Sequence, residues 1–158
     1  MSVYTLSGEP DAYTELRDHL CQVVNLTAAT LTITASSHNM RTVVIDRAAG
    51  TTITLPQATG TGNIYKFFVK TTLTADGVIE VANATDVMAG TLGISTDAAG
   101  VVAPTSATSD TITMNGSTTG GLAGSFIEIV DVATGVFSVT GALTSSGAEA
   151  TPFSAAVA

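Results

Sequence analysis

From Thr30 onward the chain repeats one local pattern, short runs in which apolar and polar residues alternate. Leu31 and Ile33 alternate with Thr30, Thr32 and Thr34, and Ile53 and Leu55 with Thr52 and Thr54. Tyr65, Phe67 and Val69 alternate with Lys66 and Lys70. Ile79 and Val81 flank Glu80, Ile112 and Met114 flank Thr113, Ile127 and Ile129 flank Glu128, and Phe137 and Val139 flank Ser138. A period of two lines one face of a β-strand, whereas a helix needs a period near 3.6. Phe68 points the other way from Phe67, which implies a strand covered on both sides. Arg41–Asp46 (RTVVID) adds a further strand.

Turn formers bound these runs at Asp46–Gly50, Pro56–Gly62, Asp76-Gly77, Asn115–Gly124 and Ala133–Gly135. About eight short strands separated by such turns predict an all-β fold, a single jelly-roll-like antiparallel β-sandwich spanning 23–158. No long helical pattern lies between strands, which argues against an enzyme fold of the βαβ kind. Alternation weakens over 88–110, which reads as a long excursion with one or two short strands.

Residues 1–22 differ. They hold Glu9, Asp11, Glu15 and Asp18 beside Arg17 and His19, and Tyr13, Leu16 and Leu20 recur at helical spacing. The segment reads as an N-terminal arm or a short helix over about 11–20. It has neither a basic start nor a continuous apolar block, so it is not read as a secretory signal. No apolar run approaches the ~18 residues of a membrane span. A protein made in a cytoplasm, without membrane contact, is the expectation.

Charge narrows the partners. Five Lys and Arg stand against thirteen Asp and Glu, a net charge of −8, and charged residues make up only 11% of the chain. A chain so poor in cations cannot neutralise a phosphate backbone, so no nucleic acid is expected. Threonine, at 28 of 158 residues, replaces much of the missing charge. With so little charge to cover its outside, part of the apolar surface is expected to meet other subunits.

The residues that could carry chemistry do not assemble into a motif. Asn115–Gly124 has the glycines and hydroxyls of a phosphate loop, but an alternating strand follows it, not a helix, and no Lys occurs after Lys70. It reads as a strand connection opened by the turn pair Asn115-Gly116. His19 and His38 belong to no metal-ligand motif and read as surface or arm residues. Ser125 is not on a GxSxG elbow. Cys21, the single cysteine, sits among Leu20, Val23 and Val24 and reads as a buried, inert thiol. Glu80 and Glu128 could form a glycosidase pair, but each alternates with apolar residues as on a solvated strand face. No catalytic, cofactor-binding or metal residue is assigned, no cofactor is expected, and the chain is read as non-enzymatic.

Two groups of segments carry a resemblance. One is Thr52–Val69 (TITLPQATGTGNIYKFFV) continued by Val78–Gly90 (VIEVANATDVMAG). The other is Gly120–Gly124 (GGLAG), leading through Gly135–Gly141 (GVFSVTG) to Ala150–Ser154 (ATPFS). Together, over about residues 40–154, they resemble the capsid decoration, or head cement, proteins of tailed bacteriophages. The resemblance implies a structural virion protein on the capsid surface, with the major capsid protein as partner and commonly a homotrimer. The alternative is another virion component, such as a head-fibre base or a tail or baseplate receptor-binding module. In the trimer, Thr151-Pro152-Phe153 is expected as an intersubunit plug, with docking on its own subunit as the alternative.

Overall fold

The computed structural model describes residues 22–157. The N-terminal arm or helix, with His19 and Cys21, lies outside the described residues. From Val23 the chain forms twelve strands and one turn of helix. The first half comprises β1 (Val23–Leu26), β2 (Thr30–Thr32), α1 (Ala35–His38), β3 (Thr42–Ile45), β4 (Thr51–Thr54), β5 (Ile64–Val69) and β6 (Gly77–Glu80). The second comprises β7 (Val87–Ser95), β8 (Gly100–Pro104), β9 (Thr111–Met114), β10 (Phe126–Ala133), β11 (Val136–Thr144) and β12 (Phe153–Ser154).

These strands make a β-sandwich. A seven-stranded sheet has the order β1-β3-β5-β10-β11-β7-β8, and a five-stranded sheet the order β12-β9-β6-β4-β2. The alternating residues fill the space between them. Val43, Ile45, Tyr65, Phe67, Ile127, Ile129, Phe137 and Val139 point inward from the larger sheet, and Ile53, Ile79, Ile112 and Met114 from the smaller, each at 2% exposure or less. Burying a side chain of this size contributes about 1.5–3 kcal/mol relative to leaving it in water.

The strand directions correct the antiparallel, jelly-roll-like expectation. Five of the ten strand pairs are parallel: β1 with β3, β3 with β5, β2 with β4, β4 with β6, and β7 with β11. From β1 to β6 each strand is followed by one in the opposite sheet, so the chain returns beside its starting strand in the same direction. The result is a two-sheeted coil, with Val23 beside Thr42 and Thr42 beside Lys66 in one wall, and Thr30 beside Thr52 and Thr52 beside Val78 in the other. Antiparallel pairs close the second half. The segment over 88–110, expected as an excursion with one or two short strands, holds two, β8 and nearly all of β7. Nine-residue β7 is knit along its whole length to β11, so its many small residues do not prevent pairing.

At the C-terminus, β12 pairs with β9 of its own chain, and Phe153 joins the core at 9% exposure. The buried carboxylate of Asp110 accepts bonds from the N–H groups of Ala156 and Val157, at 2.8 and 3.3 Å. Thr151-Pro152-Phe153 docks on its own subunit, the second of its two expected places.

Candidate functional site

The residues weighed for chemistry fall into structural roles or separate places. Asn115–Gly124 connects β9 in one sheet to β10 in the other. Asn115 Oδ1 accepts the N–H groups of Ser117, Thr118 and Thr119, so a side chain ties up the donors that a phosphate loop would aim at its ligand. Gly116 has φ 72°, and a Cβ there would lie 1.9 Å from the carbonyl oxygen of Leu73. Ser125 is buried, its Oγ accepting the N–H of Thr144 at 3.0 Å. His38 is not at the surface as expected. It is buried in α1 with the Thr34 N–H donating to its Nδ1 at 3.0 Å. Glu80 and Glu128 stand on different sheets, on the outward side of each, and so form no pair.

Sequence reading passed over Asp131. The period that turns Ile127 and Ile129 inward turns Asp131 inward too, and a buried carboxylate requires donors. They come from the loop between β4 and β5. The N–H groups of Thr59, Gly60 and Thr61 donate to it at 3.0, 2.7 and 3.1 Å, and Thr61 Oγ1 at 2.6 Å. Burial opposes ionisation, but these bonds outweigh it and hold the carboxyl below its ordinary value. A register shift in the β10–β11 ladder falls between Asp131 and Ala133, beside this clustered carboxylate. With every donor supplied by one loop, the cluster is a clamp.

Two hollows remain. The larger, about 810 Å³, is a wide groove between the turn at Thr96–Ala98 and the loop 144–149, with Asp97 and Glu149 among its lining residues. Thr96 Oγ1 closes part of it by donating to Glu149 at 3.1 Å. It holds no cation, histidine or cysteine. The smaller, about 310 Å³, lies on the outward face of the larger sheet among Thr42, Lys66, Phe68, Phe126, Glu128 and Thr140.

That outward face is the unusual surface of the molecule. One register row crosses all seven strands, from Asn25 on β1 through Val44, Phe68, Phe126 and Ala142 to Val102 on β8. Phe68 and Phe126, directly opposite each other, are 41% and 49% exposed, and Val102 is 68% exposed. Phe68 is therefore not covered from both sides by the described residues. The neighbouring row carries Lys66 opposite Glu128, with Thr42 and Thr140 beyond them. The seven strands hold only three charged residues, Lys66, Glu128 and the inward Asp131. The outward charge of this face sums to zero in a chain of net −8.

The opposite face of the sandwich has another chemistry. Its outward rows carry Thr30, Thr52 and Thr113, then Thr32, Thr54, Glu80 and Ser154, with Val78 as the one large aliphatic. Hydroxyls there bond water at no cost, whereas exposed phenylalanine rings do not. Comparison of the chain with protein-family models, curated proteins and solved structures finds no match.

Proposed function

We propose that this chain is a structural virion protein that binds the outside of a bacteriophage capsid and stabilises it. The observation that carries the reading is the broad outward face of the seven-stranded sheet, neutral along its strands and set with exposed Phe68, Phe126 and Val102, on an otherwise acidic molecule. Such a face is suited to contact with protein, and an interface of this kind needs no catalytic group. The resemblance carried by Thr52–Val69, Val78–Gly90, Gly120–Gly124, Gly135–Gly141 and Ala150–Ser154 supplies the partner class, the major capsid protein. Many weak contacts repeated over a shell would add up to stable attachment, because each engaged copy raises the effective concentration of the next.

A second reading, a head-fibre base or a tail or baseplate module, draws on the coil of β1–β6. There each turn stacks on the one before, as in solenoid proteins that build elongated shapes. Quantitative protein composition of virions made with this chain tests both readings. Copies in the hundreds per particle support decoration, a handful support the second reading, and absence from the particle overturns both.

A further inference from the structure

We propose that the outward face of the seven-stranded sheet is where two copies of this chain associate, face to face about a twofold axis. The inference rests on the geometry of that face and not on the virion reading, whose capsid contact then falls on the remaining surface.

Charge is the first argument. Two chains of net −8 repel one another over most of their surfaces. Along the strands of this face the only outward charges are Lys66 and Glu128, one of each sign, side by side on β5 and β10 near the middle of the sheet. Although opposite in register, they make no ion pair within the chain. Lys70, four residues along, does form one, donating to Asp46 at 2.6 Å. A twofold axis through the β5–β10 seam sets Lys66 of each copy against Glu128 of the other. Any displaced or like-facing arrangement loses that match. A surface that is its own complement is what an isologous contact requires.

Area is the second argument. Seven strands about 4.8 Å apart, each presenting roughly six residues at about 3.3 Å, make a face of about 30 by 20 Å, on the order of 600 Å². That is near the ~800 Å² that each partner contributes to a stable interface. At its centre Phe68 and Phe126 provide the aromatic anchors on which such contacts concentrate their energy.

Sedimentation of the full chain and two charge variants tests the proposal. The wild type is expected at the mass of two chains at micromolar concentration. Lys66→Glu and Glu128→Lys should each weaken pairing by on the order of tenfold, since each sets like charges against one another across the axis. An equimolar mixture of the two variants should recover pairing, because the doubly acidic face of one now meets the doubly basic face of the other. Both side chains are partly exposed and make no hydrogen bond or ion pair among the described residues, so an unchanged β-rich circular dichroism spectrum for each variant certifies the fold. A wild-type mass of one chain would overturn the proposal and leave the face to a different protein. A mass of three chains would overturn the twofold arrangement in favour of a ring, and a mixture no better than its components would overturn the Lys66–Glu128 match.

Discussion

Asp131 ties the end of β10 to the loop between β4 and β5. Its carboxylate gathers three backbone N–H groups and two threonine hydroxyls from a loop about 70 residues earlier in the chain. Asp131→Asn replaces an acceptor by a donor amide facing donors, and is expected to cost about 3 kcal/mol in chemical denaturation. The same cluster fixes a pH dependence. Its folded value is depressed, so its contribution is complete above the ordinary carboxylate range and drains away as the pH falls through the folded value. Wild-type stability should therefore fall on acidification below about pH 4, and the Asp131→Asn variant should show a shallower fall. Half of this was legible in the sequence. Alternation through Ile127, Ile129 and Asp131 puts the carboxylate inside, but its donors are peptide groups, which carry no side-chain signature.

At the scale of elements, alternation located most of the strands and the inward residues of each, and turn residues marked their ends. Direction was not legible, because a strand alternates in the same way whether its neighbour runs parallel or antiparallel. The coil of β1–β6 arises from connections that cross to the opposite sheet, and no side-chain period records that choice. β7 was hidden because Ala89, Gly90 and Gly93 interrupt its apolar pattern while β11 supplies its pairing. The C-terminal strand yields a prediction. Phe153 is nearly buried against its own core, so Phe153→Ala should destabilise by about 3 kcal/mol and leave the association state unchanged. An intersubunit plug would instead dissociate the copies. Because the described core runs from Leu26 to Phe153, a chain beginning at Gln22 should melt cooperatively with its β-rich circular dichroism intact.

The described residues form a sandwich with unlike outer faces, one dominated by threonine and one that sets exposed Phe68, Phe126 and Val102 among threonines and serines and is neutral along its strands. The elements of this asymmetry were present in the sequence, in the hydroxyls of TLT and TIT and in the paired aromatics of Phe67-Phe68. Only the register that aligns Val44, Phe68, Phe126 and Val102 across seven strands turns scattered residues into a surface. The chain has two lysines, and they report on this surface directly. Lys66 lies on the apolar face, and Lys70 at the end of the same strand has a side chain 58% exposed. Amine-reactive footprinting of the associated protein should modify Lys70 while sparing Lys66. A Phe68→Asp variant should expose Lys66 to the same reagent with Lys70 unchanged. Equal modification of both lysines in the wild type under associating conditions would contradict the assignment of this face as the one the protein covers.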